Sequence, residues 1–286
     1  MSIDKLQNGI RKLKNPSMVA FSFDKTQIPP AYLEAAPSGI RGYGVYAKEL
    51  LSALKGIVPA VRFAFGSFAV AGVDGLQMLA ELLFFAKEQG FYVLLDAPDV
   101  NIFGQVKVMA DALLENWEFD GLAVGCYLGS DVIKPYAEAI KDTDKDLFVL
   151  FRTGNKSASE LQDLLSGSRL LYMAAADMAI RLGDGMIDKC GYSRLAGVGP
   201  ATSPDGLRNL RVKYPTMFLL IDGYDYPGAN AKNCSVGFDR LGHGAVACAG
   251  KSIVAAWSEE DGDAIVLAVE AAERMKKNLS RYVTIL

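Results

Sequence analysis

Histidine occurs once in these 286 residues, tryptophan twice and cysteine four times. One imidazole (His243) and four scattered thiols (Cys126, Cys190, Cys234, Cys248), with no CxxC pair, argue against a zinc site and against a disulfide framework. Free, buried thiols are the expectation. Long apolar runs are also missing. Phe84-Phe85-Ala86 is broken at once by Lys87 and Glu88, and no stretch has the length needed to span a bilayer. The opening MSIDKLQNGIRKLKN is polar and basic with no apolar segment behind it, so no secretory signal is read and a cytoplasmic, membrane-free protein is expected. An excess of basic charge is absent too. The formal net charge is -3 and both signs are mixed along the chain, which argues against nucleic acid as a partner. No internal repeat or low-complexity segment stands out.

What is present is ordinary globular composition, 51% hydrophobic and 22% charged, with ample length for one large core. Eight short apolar runs recur, at 18–24, 60–65, 92–97, 121–126, 147–152, 195–200, 218–223 and 244–249. Each is nearly continuous rather than alternating, as a strand buried on both faces requires. Amphipathic segments fill the gaps, at 47–54, 76–90, 105–117, 131–142, 158–168, 203–215 and 258–283. Gly90 is a good helix stop, and Ser203-Pro204-Asp205 a strong helix start. Eight buried strands alternating with helices predict an α/β fold, a single (β/α)8 TIM barrel over residues 1–286. An open doubly wound sheet is the alternative, but the first run ends in FSFDKTQIPP, without the Gly-rich loop that fold usually places there.

In such a barrel the carboxyl ends of the strands form the mouth. The predicted ring there holds Asp24 and Lys25, then Arg62, Asp96, and Arg152 with Thr153 and Asn155. Thr202, Asp222 with Tyr224, and Lys251 complete it. Several cations among several carboxylates suit an anionic ligand. Gly228 in DYPGANAKN and Gly250-Lys251 in AGKS resemble a barrel phosphate cradle, although AGKS is not a P-loop because the upstream glycine spacing fails. Tyr224, Tyr226, Phe65 and Phe103 could stack on a base, but such rings more often serve packing at the barrel top.

Six stretches resemble the orotidine 5′-phosphate decarboxylase family, in its longer bacterial subgroup: GFYVLLDA (90–97), FDGLAVGCYLGSD (119–131), FVLFRTGNKSASELQDL (148–164), ATSPDGLRNL (201–210), FLLIDGYDYPGA (218–229) and GFDRLGHGAVACAGKSI (237–253). The resemblance runs from about Met18 to the final helix. It implies a barrel that forms a homodimer and works without metal or organic cofactor. The implied chemistry belongs to pyrimidine nucleotide synthesis. A carboxylate crowds the substrate's carboxylate, and a lysine ammonium stabilises and protonates the ring carbanion.

The chain departs from that pattern where the chemistry sits. The family signature D-x-K-x-x-D, with a further lysine on the second strand, reads here as Asp96, Pro98, Asn101 and Arg62. Proline has no donor, asparagine has no charge, and arginine holds its proton too tightly to act as an acid. The phosphate glutamine and arginine fall on Pro227 and Lys251, a family proline on Asp222, and the fourth strand's Asn-Pro on Gly125-Cys126. The resemblance keeps Asp24 for ribose, Thr153 and Asn155 for the pyrimidine, and Thr202 after the sixth strand. The expectation is therefore a homologue without normal decarboxylation that binds a small phosphorylated or nucleotide-like ligand. The alternative is a working decarboxylase in which Lys25, Arg152 or Lys107 replaces the lysine. A third reading gives Asp96 the role of base in new chemistry. Mere pairing of Asp96 with Arg62 or Arg152 is the structural counterpart to all three.

Overall fold

The computed structural model describes residues 2–36, 39–98, 100 and 104–286. Eight parallel strands close on themselves: β1 (Ser17–Phe21), β2 (Ala60–Ala64), β3 (Tyr92–Asp96), β4 (Gly121–Gly125), β5 (Asp146–Leu150), β6 (Ser193–Pro200), β7 (Met217–Asp222) and β8 (Ala245–Ala249). Each pairs with its neighbours in sequence, and β8 pairs with β1 through Ser17 opposite Ala247. The apolar runs are continuous because both faces are covered, inward by the barrel interior and outward by helices. The expected barrel is therefore the observed one.

The main helices are α1 (Ser2–Leu13), α2 (Gly39–Leu54), α3 (Gly72–Glu88), α4 (Val106–Asn116), α5 (Ser130–Ile140), α6 (Leu171–Leu182), α7 (Pro204–Lys213), α8 (Ala231–Ser235) and α9 (Ala264–Ser280), with further short helices at Pro30–Ala35, Phe65–Ala69 and Lys251–Val254 and 3-10 turns between them. Helix α3 ends as its sequence predicts. The Gly90 amide reaches the Lys87 carbonyl at 2.9 Å and the Phe91 amide reaches the Ala86 carbonyl at 3.2 Å, a Schellman closure. Helix α7 starts where Ser203-Pro204 places it, but the Ser203 hydroxyl makes no capping bond.

The stretch 158–168 is not the helix its spacing predicts. Lys156–Glu160 is a single 3-10 turn, and Leu165–Ser166 pairs with Arg169–Leu170 in a small antiparallel hairpin. Gly167, at φ +66, supplies the first turn position that a two-residue hairpin loop needs. Leu161, Leu164 and Leu165 stay exposed, so the helical spacing has no core to face. The helix that does follow β5 is α6, displaced to the next apolar segment.

Helix α1 lies across the amino ends of the strands, opposite the mouth. Its Lys5 ammonium donates to the Phe91 carbonyl at 2.8 Å and pairs with Asp120 at 3.0 Å. Gln7 accepts from the Gly244 amide at 3.0 Å, and Asp4 from the Cys190 amide at 2.8 Å. Asp120 also pairs with Lys87 at 2.6 Å and accepts from the Val93 amide at 2.8 Å. Ile3, Leu6 and Ile10 fill the remaining face of the helix against the core.

Cys126, Cys234 and Cys248 are buried, Cys190 is half-buried, and all four are free thiols. Burial pushes the Cys126 and Cys234 thiols up to about 12, so they stay neutral packing groups. Among the described residues no helix is long and apolar enough to cross a membrane.

Candidate active site

At the carboxyl ends of the strands two cavities adjoin, of about 760 and 520 Å³. Arg62, Asp222, Tyr226 and Pro227 line both, so these four residues form the partition between them. The larger cavity reaches the end of β5, with Arg152, Thr153, Asn155 and Thr202 in its wall. The smaller lies over β1, β2, β3 and β8 and holds Asp96, Asp225, Gly250 and Lys251.

Arg62 sits at the centre. It stands on β2 and spans to two other strands: Nη2 meets Asp96 of β3 at 2.5 Å, and Nη1 meets Asp222 of β7 at 2.5 Å. The three side chains are only 15%, 13% and 21% exposed, so little water screens them. Burial alone would lower the guanidinium's proton affinity. The Asp222 and Asp96 carboxylates outweigh it and hold Arg62 well above its ordinary value. It is a permanent cation with both ends of its fork engaged, and it cannot act as an acid.

The partition is completed by Tyr226. Its ring lies against two glycines, Gly154 after β5 and Gly223 after β7. A Cβ at these positions would stand 2.6 and 2.3 Å from ring carbons, so neither tolerates a side chain without moving the tyrosine. The neighbouring Asp222 charge, with burial second, pushes the Tyr226 hydroxyl up to about 12.

The predicted cation Arg152 is engaged elsewhere. It grips Asp163 with two bonds of 2.8 Å, which holds Asp163 below the usual carboxylate range. Beside it, Gln162 accepts from the Thr153 amide at 2.8 Å, and the Thr153 hydroxyl donates to Asn155. The Thr202 hydroxyl lies 3.4 Å from the Gly154 carbonyl, so Thr153, Asn155 and Thr202 do converge on one wall. Lys107 pairs with Asp111 at 2.7 Å on the exposed face of α4. The Lys25 stem packs at the start of α2, its Cε 3.2 Å from where a Cβ of Gly39 would be.

Asp24 takes a structural post. One oxygen accepts from the Thr26 amide and hydroxyl, both at 2.8 Å, capping the 3-10 turn Lys25–Gln27. The Thr26 amide is the main reason its carboxyl is held below the ordinary value. It lines neither cavity, whereas Ser22 and Gln27 line the smaller one. Gly228 lines neither, while Pro227 lines both. Pro98 occupies a half-buried turn after β3. Asn101 and Phe103 lie outside the described residues.

Two participants escaped the sequence reading. Asp225, in the turn after β7, accepts from the Gly250 and Ser252 amides, each at 3.0 Å. Its only sequence signal is an acidic residue inside DYPG. Cys248, at the end of β8, lines the smaller cavity beside Arg62, and burial pushes its thiol up. Among the described residues no group of three or more histidine, cysteine or carboxylate side chains is placed to hold a metal ion.

No protein-family model matches the chain. Individual proteins do. An orotidine 5′-phosphate decarboxylase of Rhodopirellula baltica is 30% identical over 226 residues, covering 77% of this chain and 75% of that protein. One of Clostridium novyi is 26% identical over 264 residues, covering 91% of each. Among solved structures, the OMP decarboxylase of Leishmania donovani aligns with a TM-score of 0.75 at 23% identity over 98% of this chain and 99% of that one. The orotidine 5′-monophosphate decarboxylase of Plasmodium berghei aligns with a TM-score of 0.78 at 14% identity over 98% of both. At these identities the structures speak for the fold, and the relatives speak for descent. A barrel matched over nearly its whole length, and a relative at 30% identity over three quarters of its own, leave one assignment: the chain belongs to the orotidine 5′-phosphate decarboxylase family.

Proposed function

We propose that this chain binds a nucleotide-like ligand across the two cavities and does not decarboxylate orotidine 5′-phosphate. The observation that carries this reading is the double engagement of Arg62, each end of its fork 2.5 Å from a carboxylate. Loss of carbon dioxide from the pyrimidine leaves a carbanion. That carbanion needs a nearby cation able to stabilise it and then give up a proton. Arg62 is already neutralised by Asp96 and Asp222, and its proton is held above the ordinary arginine value. Pro98, two residues beyond Asp96, offers neither charge nor proton. Of the substitutes considered above, Arg152 and Lys107 are committed to Asp163 and Asp111, and Lys25 lines neither cavity.

Binding is supported by what remains. The larger cavity offers the Thr153, Asn155 and Thr202 side chains and the Tyr226 ring, groups suited to the edge and face of a base. At about 760 Å³ it is of the size that small-molecule sites have. The test is turnover of orotidine 5′-phosphate, followed as loss of its ultraviolet absorbance, with thermal-shift titrations of uridine and uridine 5′-monophosphate alongside. The expected result is no turnover and a rise in melting temperature with ligand. Turnover by the native protein overturns the first half of the proposal. A flat thermal response to both ligands overturns the second.

A further inference from the structure

The turn after β8 is where a barrel usually presents backbone amides to a phosphate. Here two amides of that turn, Gly250 in the wall of the smaller cavity and Ser252 just beyond it, are not open. Both donate to the same oxygen of Asp225, at 3.0 Å each. The carboxylate does what a phosphate oxygen would do there, and it is covalently part of the chain. Its local concentration is therefore far above that of any free anion.

The charge around it points the same way. The cavity wall carries Arg62 and Lys251 against Asp96, Asp222 and Asp225. Arg62 is spent on Asp96 and Asp222, and Lys251, whose charge Asp24 also feels, is the other cation among the residues of that wall. A phosphate monoester entering this cavity would have to displace one carboxylate from the amides and then lie beside it. A neutral hydroxymethyl group would have to do neither.

We propose that Asp225 is a specificity-determining residue that holds the phosphate seat against phosphate, so the mouth selects an uncharged nucleoside over its 5′-phosphate. The proposal rests on the nucleotide-like reading of the larger cavity for the identity of the ligand. The exclusion of phosphate stands on Asp225 alone. Three proteins separate the two: native, Asp225→Asn, which keeps an oxygen for the amides without the charge, and Asp225→Ala, which vacates them.

Calorimetric titration with inorganic phosphate, uridine and uridine 5′-monophosphate is the experiment. Affinity for phosphate and for the monophosphate rises from native through Asp225→Asn to Asp225→Ala. The full gain is about 10- to 100-fold, the worth of a charge-assisted hydrogen bond regained by the ligand. Uridine affinity stays level across the series. Equal or weaker phosphate binding in both variants, with melting temperatures showing them folded, overturns the proposal. If phosphate gains as stated but uridine binds to none of the three, Asp225 keeps its role and the nucleotide-like reading fails instead.

Discussion

Replacing Arg62 by methionine removes the cation and keeps the length of the stem. Asp96 and Asp222 then lose the cation that lies between them. Breaking a buried ion pair from one side costs about 3–5 kcal/mol, because the abandoned charge stays desolvated. The three side chains are mostly buried, at 15%, 13% and 21% exposed, so solvent relieves little of this. The expected loss is about 4 kcal/mol. For a domain of this size that corresponds to a fall in melting temperature of roughly 8–16 °C. Arg62→Lys is milder, about 2 kcal/mol, because one ammonium cannot repeat a fork that reaches two different strands. Urea denaturation is the assay, with a shifted midpoint at constant slope identifying a true change of stability. Adding Asp222→Asn to Arg62→Met removes one of the two carboxylates that lost the guanidinium and restores about half of the loss. An Arg62→Met protein within about 0.5 kcal/mol of native refutes the reasoning, since such a value is that of an ordinary surface substitution.

The other predictions test neighbouring features. Asp163→Asn breaks the twin bonds to Arg152 and costs about 1 kcal/mol at neutral pH. Because Asp163 is held below the ordinary range by Arg152, this deficit is full above the unfolded carboxylate value near 4 and fades as pH falls below it. Melting curves of both proteins from pH 3 to about pH 7 read it, and a deficit independent of pH refutes it. Asp146, fully buried with Tyr92 donating to it at 2.7 Å, has its carboxyl raised well above the ordinary range by burial. Its contribution is complete below the unfolded value and is lost as pH rises. Asp146→Asn should therefore gain on native with increasing pH, and the opposite slope in paired thermal melts would count against this. Gly154→Ala places a methyl 2.6 Å from the Tyr226 ring and drives the ring off the partition. It costs about 1–3 kcal/mol and speeds nitration of that tyrosine, whereas unchanged nitration would mean the ring does not rest there.

The barrel was legible because its strands are buried on both faces, which leaves runs such as Val93-Leu94-Leu95 with no polar break. Helix α3 was equally legible, since its stop is a local backbone event at Gly90. The segment 158–168 misled because its leucines have helical spacing without a surface to cover, and Gly167 favours the hairpin turn over the helix. At the mouth, the place of Arg62, Asp96 and Asp222 at strand ends followed from counting along strands. The Arg62–Asp96 pair was one of two pairings open to Asp96; the other partners did not follow. Asp163 is eleven residues from Arg152 along a non-helical path, and Asp222 lies 160 residues from Arg62. Asp225 was invisible for a stronger reason: its partners are backbone amides, which every sequence supplies everywhere and no sequence marks.

Helix α1 carries a consequence for how the chain comes into being. It is synthesised before every one of its partners, and those partners are spread along the whole length: Phe91, Asp120, Cys190 and Gly244. Barrel closure waits equally long, because the Ala247 amide must find the Pro16 carbonyl, at 2.8 Å in the finished fold. On the ribosome, therefore, Ile3, Leu6 and Ile10 cannot gain their complete surroundings until nearly all of the chain has emerged. Contacts this distant in sequence also slow the search once synthesis is over. A nascent chain stalled before β8 would present an unclosed sheet with the free edge of β1 exposed, a surface that invites a chaperone at the tunnel exit or another copy in the same state.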